Sequence, residues 1–532
     1  MLPGPMKDFS QSLIAISLFA SNILFWQKSG YFDATAEEIP LIHTWSIAVE
    51  EQYYLLFPVF LILAWRFGKN SVFWMIVAMS AISLLLSEWG WRNKSTASYY
   101  LAPTRAWELF AGSIAVFIVQ RKGVQKNNVL AMLGLAAIVF SIFFYDERTP
   151  WPSVYGLVPV LGVVLLLLYA DRESLAAKLL STRVFVFIGL ISYSAYLWHQ
   201  PLFAFVRIRQ LEPPPPILML VLSFTSIILA YLSWKYIEKP FRAKSGFQRK
   251  KVLIASLMGL VVFAFLGMVG HSRDGFPGRY SIAEQSIIES IISTAAANPL
   301  RLECHFPDTV EALERKACTY FSDSASIAVV GNSHATELAY AFAKELESSK
   351  EGVLEHTISG CVHNYLKADD AQGICYKWHK KTIDALVQNA SIETVVLSYR
   401  NEEFLANEAY LNSLVKISET LILANKKVIL VLQAPLPGAH INKYVSVALI
   451  KNESDIKGMS VSKWDEIYQD SYTLLKKLPN SIVVVNPKDL FCDKISCSVI
   501  KNNKALYFDD DHLSIEGASI IAQYILKTHL NK

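Results

Sequence analysis

The chain has 532 residues, of which 53 % are hydrophobic and 18 % are charged, and its formal net charge is +4. Soluble domains usually carry about 25 % charged residues, so this composition excludes an ordinary wholly soluble protein, and the length predicts two or more domains. The basic residues form no stripe, so nucleic acid is not an expected partner.

The first part of the chain, residues 1–271, is a succession of apolar stretches whose lengths approach the roughly 20 residues that cross a bilayer. Nine such stretches lie at 10–26, 50–65, 71–88, 105–120, 128–145, 153–170, 184–200, 216–237 and 252–271. One or two of them could be buried helices of a soluble domain. Nine in succession predict a multi-span α-helical membrane domain that contacts membrane lipid, with no cleavable signal peptide before it.

Charges in the loops predict the orientation of these spans. If the N-terminus is cytoplasmic, the cytoplasmic loops carry more Lys and Arg than the opposite loops, most clearly between residues 239 and 251. An odd number of spans then places residues 272–532 on the other side of the membrane. We therefore expect a C-terminal domain outside the cytoplasm.

Polar residues at membrane depth are costly and so indicate function. They occur in residues 43–54 (HTWSIAVEEQYY), 104–112 (TRAWELFAG), 192–201 (SYSAYLWHQP) and 236–242 (YIEKPFR). Interfacial anchoring explains some of the aromatic and basic side chains. We expect a polar cluster at the second and fourth apolar stretches, formed by His43, Glu50, Glu51, Arg105 and Glu108. Anchoring fits the last four of these poorly, because they lie on apolar helices and need partners, so we expect Arg105 to pair with a carboxylate.

All six cysteines lie in the C-terminal half, and six cysteines allow fifteen pairings. We predict the nearest-neighbour set, which closes short loops: Cys304 with Cys318, Cys361 with Cys375, and Cys492 with Cys497. An oxidising compartment such as the bacterial periplasm would support these bridges. Free buried thiols are the alternative, and the absence of a tight Cys-x-x-Cys pair makes a zinc site less expected.

The C-terminal half alternates β-branched runs with amphipathic stretches. After a predicted linker at 272–300, strands are expected at 327–330, 353–358, 394–398, 428–432 and 482–485. The alternation predicts an α/β domain with a parallel sheet, in which ligands bind at the carboxyl ends of the strands.

A serine and a histidine occupy positions suited to acyl transfer in this domain. Ser333 follows the first predicted strand in Gly-Asn-Ser-His, at the start of a helix whose N–H groups could face an oxyanion. Asp509 and His512 are three residues apart near the C-terminus, so the carboxylate can orient the imidazole toward the serine. Alone, these patterns could be a helix cap and a solvated acidic turn or weak metal site; together they predict a catalytic triad and no metal.

Both halves resemble known families. The four membrane segments occur in the order typical of the acyltransferase-3 family, which identifies residues 1–242 with its membrane domain and leaves 243–271 as an extra transmembrane helix. Gly-Asn-Ser-His and Asp-x-x-His resemble the first and last blocks of the SGNH (GDSL-like) hydrolases, which identifies 301–532 as an SGNH domain. The resemblance implies Ser333 as nucleophile, His512 as base and Asp509 as orienter.

The resemblance also implies an oxyanion hole and a function. Gly360 suits the glycine of the second SGNH block. Asn401 stands where the family often has an asparagine. Alternatively, Asn401 is a simple loop residue and Arg400 beside it is the functional group. The fused architecture resembles bacterial inner-membrane O-acetyltransferases that modify lipopolysaccharide O-antigen. They use cytoplasmic acetyl-CoA as acyl donor, with no bound cofactor, and a polysaccharide or lipid-linked glycan as acceptor, which implies a periplasmic C-terminal domain.

Two alternatives remain open at this point: a membrane-anchored periplasmic carbohydrate esterase, and a peptidoglycan O-acetyltransferase. The family normally begins with two further helices, one of which carries a histidine regarded as catalytic. Met1 falls where the third family helix begins. We therefore expect an N-terminal truncation or a start assigned too late, which bears on whether the chain performs the transmembrane step.

Overall fold

The computed structural model describes residues 1–28, 36–146, 149–242, 249–307, 310–361, 365–366, 373–400, 408–476 and 478–532. The chain divides into two compact units, residues 1–277 and 278–532. The first is built from helices and the second contains the sheet, so the predicted fold class is confirmed.

The first unit consists of helices joined by short connections. In the described residues they are α1 (Pro3–Ser17), α2 (Ser21–Lys28), α3 (Thr44–Ala64), α4 (Lys69–Asn93), α5 (Ser95–Tyr100), α6 (Ala102–Lys122), α7 (Asn128–Phe144), α8 (Leu157–Tyr169), α9 (Leu175–Leu180), α10 (Arg183–Arg209), α11 (Pro216–Ser233), α12 (Lys239–Arg242) and α13 (Arg249–Ser272).

Most of the predicted spans correspond to single long helical segments. Five segments in the described chain are long and apolar enough to cross a membrane: Thr44–Phe67, Lys69–Asn93, Ser95–Lys122, Pro216–Arg242 and Lys250–Ser272. Two shorter apolar helices, Asn128–Phe144 and Val154–Tyr169, account for two further predicted spans.

The remaining two predicted spans differ from a simple apolar helix. The stretch 10–26 is divided between α1 and α2, because the helix breaks where Phe19 adopts a positive φ of 53°. The stretch 184–200 lies within α10, whose polar residues include Ser192, His199 and Gln200. The count of nine spans is therefore approximate.

Close helix packing in this unit depends on small residues. A Cβ atom added to Gly134 of α7 would lie 2.6 Å from the carbonyl oxygen of Gly162 in α8, and one added to Gly162 would lie 2.7 Å from the Gly134 oxygen. Glycine at both positions thus lets the two backbones touch, which is a common way of packing helices in a membrane.

The second unit alternates strands and helices. Its described strands are β1 (His305–Phe306), β2 (Cys318–Tyr320), β3 (Ala325–Gly331), β4 (Gly352–Ile358), β5 (Thr394–Ser398), β6 (Lys427–Val431), β7 (Ile456–Ser460), β8 (Val483–Val485), β9 (Ser496–Lys501) and β10 (Lys504–Ala505). Its described helices are α14 (Ile282–Thr294), α15 (Arg301–Cys304), α16 (Thr336–Leu346), α17 (Ile374–Gln388), α18 (Glu408–Leu423), α19 (Ile441–Lys451), α20 (Val461–Leu475), α21 (Lys488–Phe491) and α22 (Ile515–Ile525).

The main sheet has the strand order β1-β4-β3-β5-β6-β8, with every neighbouring pair parallel, while β2 pairs antiparallel with β4. Ala328 and Val330 of β3 join the core cluster that contains α17 and α18 residues, whereas Ile327 and Val329 point the opposite way and are also buried. Burial of both faces is typical of a parallel sheet covered by helices.

Some elements of this unit were not predicted. β7, β9 and β10 form a separate antiparallel sheet. The predicted linker at 272–300 contains α14, which begins with a capping box formed by Ser281 and Glu284, and Ser290 Oγ on this helix donates to the Asn503 carbonyl oxygen. Residues 278–300 are therefore part of the second unit and are not an open linker.

Candidate active site

The local sequence of the β3–α16 connection explains how Ser333 is presented. Gly331 ends β3, and a Cβ atom there would lie 1.7 Å from the Ser398 carbonyl oxygen of β5, so only glycine fits between the two strands. Ser333 then begins a short 3₁₀ turn that leads into α16. Its side chain consequently stands at the carboxyl end of a central strand.

The three residues predicted to act together do meet. His512 Nε2 lies 2.9 Å from Ser333 Oγ, and His512 Nδ1 lies 2.8 Å from Asp509 Oδ2. Asp509 Oδ1 also accepts the backbone N–H groups of Asp511 and His512, at 2.8 and 2.5 Å. The tight turn at 509–512 therefore fixes the carboxylate, and the carboxylate fixes the imidazole.

The electrostatics of the triad favour an ionised carboxylate. Burial raises the pKa of Asp509, but the hydrogen bonds and charge interaction with His512, together with the backbone donors, outweigh it and lower the pKa below its ordinary value. An ionised Asp509 accepts the Nδ1–H of His512, which leaves a lone pair on Nε2 facing the serine. This arrangement can remove the hydroxyl proton.

Ionisable side chains lie around the imidazole of His512. The His334 ring stacks on the His512 ring with centroids 4.5 Å apart, and His334 Nε2 lies 3.4 Å from Asp511 Oδ2. Arg400 Nη1 lies 3.3 Å from the same Asp511 oxygen. Burial raises the pKa of Asp511, but its contact with His334 and the charge interactions with His512 and Arg400 outweigh burial, so its pKa is lowered. Burial and the neighbouring His512 lower the pKa of His334.

Arg301 is a site residue that the sequence did not reveal. Its guanidinium forms a buried ion pair with Glu337, donates to the Ser333 carbonyl oxygen at 3.3 Å, and lies over the Phe508 ring. Phe508 in turn stacks on His512. Arg301 lies on α15, just beyond the predicted linker, and it belongs to no motif that would have indicated a role in the site.

The two predicted oxyanion residues have different outcomes. Gly360 follows β4, whose Thr357 is paired with Gly331 of β3, so it lies at the same edge of the sheet as Ser333. Its φ of +65° is one that glycine adopts freely. Asn401 lies outside the described residues. Its neighbour Arg400 donates its backbone N–H to Asn332 Oδ1 at 3.1 Å and contacts Asp511 through its side chain.

The cysteines of the second unit are paired in the predicted nearest-neighbour set. The bridges join Cys304 to Cys318, Cys361 to Cys375, and Cys492 to Cys497. The first connects α15, which carries Arg301, to strand β2, and the second follows Gly360 closely. Two of the three bridges therefore restrain segments beside the site.

The polar cluster predicted in the first unit is only partly assembled. Arg105 Nε lies 3.4 Å from Glu108 Oε1, which is the expected Arg–carboxylate pair. The His43 ring is buried with its centroid 5.4 Å from that of His199. No ion pair within the described residues includes Glu50 or Glu51, the two neighbouring carboxylates.

A serine, a histidine and an aspartate in this arrangement define a class of domain that can transfer or hydrolyse acyl groups. Family models identify both halves: residues 9–235 match the family described as an acyltransferase domain, and residues 303–527 match the SGNH domain fused to AT3 domains. The chain therefore belongs to the proteins that join an acyltransferase membrane domain to an SGNH domain.

Curated relatives match part of the chain. It is 29 % identical over 264 residues to O-acetyltransferase OatA of Staphylococcus aureus strain NCTC 8325, covering 46 % of this chain and 43 % of that protein. It is 28 % identical over 263 residues to peptidoglycan O-acetyltransferase OatA of Listeria monocytogenes, covering 46 % of this chain and 42 % of that protein. The chain thus spans less than half the length of these two relatives.

A solved structure also aligns with the chain. The periplasmic domain of the lipopolysaccharide acetyltransferase of Salmonella ser. Paratyphi A gives a TM-score of 0.34 at 14 % identity, covering 43 % of this chain and 91 % of that one.

Proposed function

We propose that this protein is a membrane O-acyltransferase that passes an acetyl group through Ser333 to a sugar hydroxyl of a cell-envelope glycan. The observation that carries the proposal is the hydrogen-bonded series from Ser333 Oγ to His512 Nε2 and from His512 Nδ1 to Asp509. The membership in acyltransferase and SGNH families supports the same reaction class.

The first half-reaction loads the serine. His512 Nε2 takes the proton of Ser333 as Oγ attacks the acyl carbonyl carbon, and Asp509 stabilises the imidazolium. The backbone N–H groups of Ser333 and Gly360 are proposed to hold the oxyanion. When the tetrahedral intermediate collapses, the leaving group departs with the proton from His512, and an ester remains on Ser333.

The second half-reaction unloads it. A glycan hydroxyl loses its proton to His512 Nε2 and attacks the ester carbonyl carbon, and Ser333 Oγ recovers that proton as it leaves. The product is an O-acetylated sugar and free enzyme, so no cofactor is consumed at this site. The acyl donor is proposed to be cytoplasmic acetyl-CoA, acting through the membrane domain.

The chain is proposed to reside in a bacterial inner membrane with a cytoplasmic N-terminus and a periplasmic SGNH domain. Its apolar helices and acyltransferase domain support a multi-pass membrane protein. The excess of Lys and Arg at 239–251 and the three disulfides support the orientation, because disulfides persist in oxidising compartments.

The acceptor sugar is proposed to belong to lipopolysaccharide O-antigen or to peptidoglycan. The resemblance of the fused architecture to O-antigen O-acetyltransferases supports the first, and the name of the Listeria relative supports the second. The esterase is the second candidate function, because the same triad hydrolyses esters when water replaces the glycan hydroxyl.

One experiment separates these functions. The full chain, purified in detergent, is given 4-nitrophenyl acetate as an activated donor, together with O-antigen oligosaccharide, peptidoglycan fragments or no acceptor. Acetate appearing on one glycan identifies a transferase and its acceptor, whereas free acetate alone with every acceptor identifies an esterase. Ser333→Ala should abolish both products, while Ser293→Ala, on the exposed face of α14, should not. An active Ser333→Ala protein would refute the proposal.

Acetyl-CoA as donor requires a separate test in membranes. The full chain is reconstituted into vesicles with labelled acetyl-CoA on the side of the N-terminus and the accepted glycan on the other. Label on the glycan would support transfer across the bilayer. No label with a chain that still uses 4-nitrophenyl acetate would refute the transmembrane step while leaving the reaction at Ser333 intact.

A further inference from the structure

Three ligand-type side chains converge beside the catalytic base. His334, Asp511 and His512 each offer a nitrogen or oxygen atom, and these atoms all lie within 4.8 Å of one another. His512 uses Nδ1 to contact Asp509, so Nε2 is the nitrogen that it can offer. Two imidazoles and a carboxylate are a ligand set suited to zinc.

The second observation is a buried carboxylate oxygen that lacks a partner. Asp511 Oδ1 is buried and has no hydrogen-bond partner among the described residues. The other oxygen, Oδ2, lies 3.4 Å from His334 Nε2, which is longer than an ordinary hydrogen bond, and the His334 side chain is only 8 % exposed. Buried polar atoms that are unpaired or weakly paired are costly, so this carboxylate and this imidazole both gain from a bound cation.

We propose that His334, Asp511 and His512 form an inhibitory site for a divalent transition-metal cation such as Zn²⁺. Zinc binds nitrogen and oxygen at about 2.0–2.2 Å, which places tetrahedral ligand atoms about 3.4 Å apart. His334 Nε2 and Asp511 Oδ2 already have this separation, 3.4 Å. His512 has to turn out of its stack with the His334 ring, so that Nε2 leaves Ser333 and faces the metal.

The structure supplies the usual support for such a ligand. Asp509 accepts the Nδ1–H of His512, which is the carboxylate–histidine–metal arrangement that orients an imidazole for metal binding. Metal on Nε2 removes the lone pair that accepts the Ser333 proton. Bound cation and catalysis therefore exclude each other, and the inhibition is reversible by a chelator.

Arg400 limits the affinity of the site. Its guanidinium lies 3.3 Å from Asp511 Oδ2, and a second cation bound there is repelled by it. The Arg400 side chain is 40 % exposed, so it can swing into solvent when the metal enters. Arg400→Gln should therefore bind zinc more tightly than the unaltered protein.

Direct binding is measured by calorimetry with ZnCl₂ on the full chain in detergent, in the Ser333→Ala background. We expect one zinc equivalent at this site, with affinity lowered about tenfold or more by His334→Gln and by Asp511→Asn, and left unchanged by His529→Gln, which changes a histidine outside the cluster. Equal affinity in all variants, or no binding by folded protein, would overturn the proposal. This readout requires no enzyme activity.

The claim that zinc inhibits the enzyme rests on the proposed function, and it is tested by a separate activity assay. Ester hydrolysis by each variant is normalised to its own rate without zinc. Zinc should inhibit the unaltered protein reversibly, with the midpoint raised in His334→Gln and lowered in Arg400→Gln. Zinc that binds at the cluster without inhibiting would refute the inhibition. A protein that binds zinc but hydrolyses no ester would instead refute the proposed function.

Discussion

Replacement of Asp509 by asparagine tests the triad with the least change of shape. Asp509 Oδ1 accepts two backbone N–H groups at the turn, and Oδ2 contacts His512 Nδ1 at 2.8 Å. Asparagine keeps an oxygen for the backbone donors, so the turn should persist. Its NH₂ group then replaces the oxygen that faces Nδ1.

The amide group imposes the wrong tautomer on the base. An NH₂ donor facing Nδ1 requires a lone pair there, which places the imidazole proton on Nε2, so His512 can no longer accept the proton of Ser333. We expect kcat to fall about 10³–10⁴-fold, or about 4–5.5 kcal/mol of transition-state stabilisation. KM should change little, because neither oxygen of Asp509 contacts the substrate in the proposed mechanism.

The assay is saturation kinetics of 4-nitrophenyl acetate hydrolysis by the full chain in detergent. Asp510→Asn is the matched control, since it makes the same chemical change one residue away at an exposed position. Circular dichroism and thermal unfolding of both variants show whether the fold is retained. A folded Asp509→Asn protein within tenfold of the unaltered rate, or an equal loss in Asp510→Asn, would refute this reasoning.

Three further predictions concern stability, measured by denaturant unfolding of the second unit in the full chain. Arg301→Met should lower the free energy of unfolding by about 3–5 kcal/mol, because it leaves the Glu337 carboxylate buried without its ion-pair partner. The double variant Arg301→Met, Glu337→Met should recover much of that stability, and a double variant that recovers none would argue against the ion pair. Gly331→Ala should be strongly destabilising because its Cβ atom would overlap β5, whereas Gly278→Ala, with open space around it, should be neutral. Burial raises the pKa of Glu355 to about 7, so its neutral form is favoured in the folded state. The stability that Glu355 contributes is fully present below its unfolded pKa of 4.5 and is lost as the pH rises through its folded pKa of about 7. The free energy of unfolding of the unaltered protein, relative to that of Glu355→Gln, should therefore fall by about 3 kcal/mol between these two pH values. A difference between the two proteins that does not change with pH would contradict this.

The parallel sheet was predictable because its strands are buried on both faces. Such strands appear in the sequence as continuous apolar runs, as in Ile327–Val330, and they alternate with amphipathic helices. The triad was predictable because its acid and base lie on one turn and its serine follows a strand. In each case the signal is local in the sequence.

Helix α14 and the role of Arg301 were not predicted, because the sequence patterns that indicate them are weak or depend on distant residues. The capping box of α14, Ser281 with Glu284, was a readable helix start in the predicted linker. Arg301 is different, because its role depends on Glu337, which is 36 residues away, and on the carbonyl of Ser333. An isolated arginine in a sequence does not show which carboxylate it will meet, so its contribution to the site required the structure.

Asn332 stands where the first block of the SGNH hydrolases usually has an aspartate. Asn332 Oδ1 accepts the backbone N–H of His334 at 3.2 Å and that of Arg400 at 3.1 Å. Both partners are neutral backbone donors, so an amide oxygen satisfies them as a carboxylate would. The charge-assisted strength of those bonds is lost, but a buried amide costs less to desolvate than a buried carboxylate. Because the same atom joins the end of β3 to the end of β5, the exchange preserves the contact that positions Ser333.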